Sequence, residues 1–199
     1  MRSRTFLTAL AAIAVIAAFA ATSTAADKFA VDRSHSSVGF TVKHMVVSKV
    51  KGFFNDYTVD IVYDDKDITK SSVEVSIKTA SIDTREAKRD DHLRSPDFFD
   101  AAKFPDIIFK SKRIEKSGEG FVAVGDFSMR GVTKEIKLPF TFAGVVTDPY
   151  GNTRLGLSAA TKLNRQDYGV SWSKTLDNGG LVVSDDVEVS IEIEAIKAK

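Results

Sequence analysis

Residues 187–194 read VEVSIEIE: Val187, Val189, Ile191 and Ile193 alternate with Glu188, Ser190, Glu192 and Glu194. A period of two puts every apolar side chain on one face of an extended strand and every polar one on the other. Such a strand belongs to a wall that is dry on one side and wet on the other. Upstream the same period recurs. Val38, Phe40 and Val42 alternate with polar or small residues, as do Val73, Val75 and Ile77, and Phe53, Tyr57, Val59, Ile61 and Tyr63 share one parity. Further runs cover 121–129, 136–146 and 155–163.

Turn-forming clusters separate these runs: Asp64-Asp65-Lys66-Asp67, Ser117-Gly118-Glu119-Gly120, Asp148-Pro149-Tyr150-Gly151-Asn152 and Asp177-Asn178-Gly179-Gly180. Several runs reach about ten residues, where strands usually have roughly five or six. Long one-sided strands joined by tight turns predict an all-β fold, an antiparallel up-and-down β-barrel, because closure removes exposed edges. A two-sheet sandwich is the alternative. The one helical stretch interrupts the strands: Asp83 and Glu86 have capping-box spacing, and Pro96 predicts a stop near Ser95. The inward parity is rich in Phe, Val and Ile and includes Gly125, Gly144 and Ala159; the chain has 14 phenylalanines. Periodicity leaves open whether these fill a solid core or line a lumen that holds a slender ligand.

The first residues read as an address. Arg2 and Arg4 precede a nearly uncharged apolar run from Phe6 to Ala21, and Thr24-Ala25-Ala26 offers a cleavage site, which predicts a secretory signal peptide over 1–26 and one mature domain over 27–199. An uncleaved anchor is the alternative, but the run is short for a span, so stable membrane insertion is not expected after cleavage. The chain carries 28 basic and 27 acidic residues; removing Arg2 and Arg4 with the leader brings the formal charge to −1. That balance gives no electrostatic reason to expect nucleic acid or an anionic membrane as a partner. There is no cysteine, so thiol chemistry and cysteine–metal sites are excluded, and an exported chain without disulfides suits a bacterial periplasm.

Between Arg89 and Pro105 the chain reads RDDHLRSPDFFDAAKFP, too charged for a core strand and too aromatic for an idle loop. Phe98, Phe99 and Phe104 are expected to cap one barrel opening. Arg89, Asp91 and Arg94 are expected to lock the helix by ion pairing, the alternative being arginine contacts to a diphosphate head group. His92 is expected to join Asp90 and Asp91 in a polar cluster. His35, within Ser34-His35-Ser36-Ser37, is either a rim contact for a head group or part of a structural turn. Arg165 is expected to pair with Asp167 or Asp91, and Arg130-Gly131-Val132-Thr133 reads as a plain hairpin loop. Trp172 lines the mouth or fills the core. Three histidines without HxH or HExxH spacing give no metal site. No nucleophile elbow, P-loop or GxGxxG is present, so no catalytic residue and no cofactor are assigned.

Read in order, DRSHSSVGFTVKH (32–44), RDDHLRSPDFFDAAKFP (89–105), DFSMRGVTKEIKLP (126–139) and LNRQDYGVSW (163–172) resemble the YceI-like family across essentially the whole mature chain. The resemblance implies an extended lipocalin-like barrel, exported to the periplasm, that holds a polyisoprenoid or a similar long-chain isoprenoid or fatty lipid in its lumen. On that basis Phe40, Phe53, Tyr57, Phe98, Phe99, Phe127, Phe140 and Phe142 are the candidate chain-binding residues, and His35, Arg89, His92 and Trp172 the candidates for the head-group end. Whether two chains pair as a homodimer is left open.

Overall fold

The computed structural model describes residues 26–45, 47–175 and 179–199. The leader read at 1–26 therefore lies, apart from Ala26, outside the described residues, as do Asp177 and Asn178 of the last turn. The chain winds up and down through eight antiparallel staves. The first is β1 (Asp27–Val31) continued by β2 (Ser37–His44); the second is β3 (Ser48–Phe54) with β4 (Tyr57–Tyr63); the third is β5 (Ser72–Lys78) with β6 (Ile82–Asp83). Five unbroken strands follow: β7 (Asp106–Ser117), β8 (Gly120–Met129), β9 (Val132–Thr147), β10 (Thr153–Asn164) and β11 (Val183–Lys197). Each stave pairs with its neighbours in the chain, and β1 closes on β11 with Phe29 opposite Lys197. Among the described residues the result is a closed antiparallel barrel with one short α-helix, so the sandwich is set aside.

The breaks in the first two staves meet in space. Between β1 and β2 a 3₁₀ turn at Arg33–His35 is capped by Asp32, which accepts from the Ser34 N–H. Arg33 then reaches across to the second break, donating to the Asn55 carbonyl at 2.6 Å and to Asp56 at 3.1 Å. This break has a consequence for side-chain direction. Period two, carried unbroken from 53 to 63, puts Phe53 inside; in the structure Phe54 is buried and Phe53 is 37% exposed. Two residues that belong to no strand shift the parity between β3 and β4.

Two further irregularities hide from the sequence pattern. In β7 the register slips between Ser111 and Arg113, and the apolar run Ile107-Ile108-Phe109 obscures the alternation, so this strand is found only in the structure. In β9, Gly144 (φ +115°) marks a bulge against β10. Beyond it the outward side of the strand carries Val146, 65% exposed, which period two would have placed inside with Phe140 and Phe142.

Helix α1 (Ala87–Arg94) starts later than the capping box implies. Arg85 adopts φ +64°, which interrupts any helix begun at Asp83. Asp83 instead accepts from the Arg85 N–H at 2.8 Å, and Glu86 caps the helix. Its end agrees with expectation: Ser95 is extended before Pro96 and donates its N–H to the His92 carbonyl. The buried Asp90 accepts from the Thr84 N–H, and Arg89 donates to the Thr84 hydroxyl and carbonyl. Arg94 pairs with Asp91 and donates to the carbonyls of Ala80 and Ile82. The locking reading of this cluster thus stands in part: Arg94–Asp91 is an ion pair, while Arg89 is fastened to backbone and hydroxyl. Arg130 is more than a hairpin residue, since it donates to the Gly169 carbonyl at 2.6 Å and the Pro96 carbonyl at 2.8 Å. It ties the segment after α1 to the β8–β9 turn and to the loop after β10.

Candidate functional site

The inward faces do not meet in a solid core. They enclose an apolar cavity of about 160 Å³ beneath α1 and a second of about 80 Å³ further down the barrel. Val38, Val75, Ile77, Phe109, Leu138 and Ile191 border both, so the two cavities lie end to end along the barrel interior, an upper and a lower stretch of its lumen. From Val187 to Ile193 the β11 side chains follow this lumen for about 20 Å of strand. Its lining is nearly all carbon, with Thr161 and Arg165 in the upper stretch and Ser71, Ser72 and Tyr63 in the lower. A narrow cavity lined in this way stays free of water, because a water molecule there finds too few polar partners.

Phe40, Phe98, Phe99 and Phe127 line the upper stretch, and Phe140 and Phe142 the lower. Two phenylalanines absent from the sequence-based set, Phe54 and Phe109, line it as well; each sits in a segment where a break or a slip disturbs the alternation. Phe98 and Phe99 cap the upper end together with Leu93. Phe104 does not join them, since its ring packs against Gly131 in the β8–β9 turn. Phe40 owes its position to Gly52 across the hairpin, where a Cβ would run into its ring and lie 2.9 Å from the Thr84 methyl. Gly52→Ala should therefore push the Phe40 ring into the lumen at a cost of about 1–2 kcal/mol. A thermal melt with a titration of a lumen-binding dye checks this; unchanged stability and unchanged dye binding would refute it.

Several expected positions are corrected. Phe53 faces outward. Tyr57 is buried in the wall beneath the Arg33 guanidinium, 5.8 Å from its ring centroid, and does not line the lumen. His35 stands on the outer surface, with Nδ1 3.0 Å from Asp32 and 3.1 Å from the Ser34 hydroxyl, so it is part of the turn and not of the rim. Arg89 is held at Thr84 away from the lumen. His92 pairs with Asp97 at 2.8 Å instead of Asp90 or Asp91, and its ring packs edge-on against Phe98 and Trp172. Trp172 covers Phe98 at 5.1 Å between centroids. His92 and Trp172 thus form the outer layer of the cap and touch the lumen only through Phe98.

Among the described residues, the charged group that reaches the lumen is Arg165, 5% exposed. It pairs with neither Asp167 nor Asp91: Asp167 binds Lys134 at 3.1 Å, and Arg165 binds Asp185 at 3.0 Å. Its remaining donors meet the carbonyls of Val170, Trp172 and Ser184 at 2.6, 2.8 and 3.0 Å. Burial pushes the guanidinium pKa down and Asp185 offsets part of that; a guanidinium stays charged regardless. Only its flank faces the ligand space, because its N–H groups are turned into the loop.

Residues 29–195 match the YceI-like domain. The chain belongs to the YceI-like family. The "UPF0312 protein" of Serratia proteamaculans is 38% identical over 165 residues, covering 83% of both chains. Among solved structures, the Campylobacter jejuni YCEI protein is 35% identical with a TM-score of 0.68, over 84% of this chain and 96% of that one. A polyisoprenoid binding domain from Saccharophagus degradans shares the fold at 14% identity, with a TM-score of 0.65 over 85% of this chain and 98% of that one.

One polar cluster on the outer wall of this YceI-like barrel has the donor set of a metal site: ligand atoms of Asp32, His35 and Glu194 lie within 4.8 Å of one another. Its centre is filled by the Arg154 guanidinium, which contacts Asp32 at 2.8 Å, Glu194 at 2.5 Å and Asp148 at 2.7 Å. The cluster therefore fastens β10, β11 and the turn after β1. Hydrogen bonds from Ser34, His35 and Arg154 hold the Asp32 carboxyl well below the usual carboxylate range, and those from Asn152 and Arg154 do the same for Asp148. Depressed folded-state values mean stability that is present above the unfolded carboxylate pKa of about 3.9 and lost as pH falls through the lower folded values. Thermal melts should show wild type losing stability on acidification from about pH 5 downward, with a shallower slope in Arg154→Met. Equal slopes would show that the network carries none of the acid sensitivity.

Proposed function

We propose that this YceI-like barrel carries a single-chain isoprenoid-type lipid in its lumen, in the periplasm, without covalent chemistry. The observation that carries the reading is the pair of adjoining carbon-lined cavities along the barrel axis, the upper one capped by Leu93, Phe98 and Phe99. The Saccharophagus degradans neighbour, described as a polyisoprenoid binding domain, supports the choice of ligand class. Each buried carbon group yields about 0.8 kcal/mol, so ten give on the order of 8 kcal/mol before the cost of ordering the chain. Flat aromatic rings lie well against flat alkene units. The narrowness of the lumen favours one slender chain over a two-tailed phospholipid. An enzyme on a small amphiphile finds less support. The Ser34–His35–Asp32 contacts look like a catalytic triad, but serine and aspartate share the same Nδ1 and the group faces solvent, so no proton relay can form.

The test is native mass spectrometry of the mature protein purified without detergent, followed by organic extraction. The expected result is a discrete adduct whose fragments step by five-carbon units, or stoichiometric uptake of an added prenol. An apo mass combined with failure of prenols of every length to bind would overturn the reading in favour of an interaction protein.

A further inference from the structure

Three residues beyond Val42, which lines the upper lumen, the β2–β3 hairpin turns over with Met45 at φ +49°. Met45 is 39% exposed and Val47 83%. A strained turn that holds apolar side chains out in water gains nothing from packing. The flanking charges are also arranged against the hairpin's own stability: Lys43 lies directly opposite Lys49, and like charges opposite one another repel. Lys49 is relieved by Glu188 at 3.3 Å. The nearby Asp185 and Asp186 are taken by Arg165 and Lys162. Lys43 and Lys51 have no acidic partner among the described residues. The Met45 N–H donates to the Val182 carbonyl, and the Val182 N–H to the Lys174 carbonyl, which brings a third lysine beside the tip.

We propose that this hairpin docks the protein on an anionic bilayer surface. Met45 and Val47 enter the boundary between head groups and acyl chains, and Lys43, Lys51 and Lys174 meet the lipid phosphates. The inference rests on the lipid-carrying reading, which gives docking its purpose: the capped end of the lumen is set against the membrane from which a tail would enter. The β9–β10 hairpin at the other end of the barrel is a built-in contrast. It exposes Tyr150 at 88%, but the adjacent Arg154 is held by three carboxylates.

The test is co-sedimentation of the mature protein with phosphatidylethanolamine–phosphatidylglycerol vesicles at low salt, against phosphatidylcholine vesicles. Binding should be confined largely to the anionic vesicles. Lys43→Gln with Lys51→Gln should weaken it roughly twenty-five-fold, about fivefold for each lysine. Val47→Asp should weaken it at least about tenfold, and Tyr150→Asp should leave it unchanged. All these side chains are exposed, so equal melting temperatures confirm intact folds. Equal binding to both vesicle types, indifference to the hairpin substitutions, or equal damage from Tyr150→Asp would each overturn the proposal. A soluble short-chain prenol is titrated in parallel without vesicles. Prenol binding without vesicle binding removes the docking role alone; hairpin-dependent vesicle binding from a protein that carries no lipid and binds prenols of no length removes the lumen reading and leaves docking in place.

Discussion

Arg165→Leu will cost the fold about 4 kcal/mol, the sum of several carbonyls losing their donor at about 1–3 kcal/mol each, and lower the melting temperature by roughly 10 °C. The leucine fills similar space and suits the apolar lumen, so the loss comes from what it leaves behind. The carbonyls of Val170, Trp172, Val183 and Ser184 lose the Arg165 donor together, while the Asp185 carboxylate keeps only Gln166. Buried acceptors without donors each carry a desolvation penalty. Arg165→Lys will recover little, because one ammonium cannot span acceptors arranged around a planar fork. Trp172 is the only tryptophan, so its emission reports on this corner directly and should shift to the red as the loop loosens. A melting temperature within about 2 °C of wild type, equivalent to 1 kcal/mol or less, would show that the loop is held by other contacts.

Ile191→Trp will abolish prenol binding, at least about a hundredfold in affinity, while the barrel stays folded at a cost of about 1–3 kcal/mol for overpacking. Ile191 borders both stretches of the lumen, and an indole there fills the space where the two adjoin, leaving no room for a chain to pass. The measurement is a titration of a short-chain prenol, with far-ultraviolet circular dichroism to confirm the β content. Retained affinity would place the lipid somewhere other than the lumen, whatever the family likeness suggests. The hundredfold figure corresponds to losing about 2.7 kcal/mol, three or four buried carbon groups.

The barrel was legible because alternation along β2, β5, β8, β10 and β11 is a direct record of which face is dry. It stopped being legible wherever the backbone left the strict pleat. Asn55 and Asp56 shift the parity between Phe54 and Tyr57, the slip after Ser111 disguises β7, and Gly144 turns Val146 outward. No composition rule marks such slips; they show only when a partner strand fixes the register. The site was legible to the same depth. Lumen phenylalanines on regular strands were found, whereas the polar residues of 32–35 and 89–92 gave no sign of which side of the wall they occupy. Arg165 was visible as a charged residue after a strand, but its burial follows from five acceptors contributed by a loop and by β11, which no local window contains.

The pairing of β11 also bears on the order in which the protein can be made. This last strand touches β10 along most of its length, β2 along its first two thirds and β1 at its end. Until it has been synthesised and released, the opening stave has lost one of its two neighbours and the lumen has a missing wall. A partly emerged chain therefore exposes its inward phenylalanines and valines with nothing to cover them, and contacts between the two ends of the sequence must form in the final step. Such distant closure is slow compared with hairpin formation. The half-made chain is accordingly the form most exposed to aggregation, and a holding chaperone matters most in the interval just before the final strand arrives.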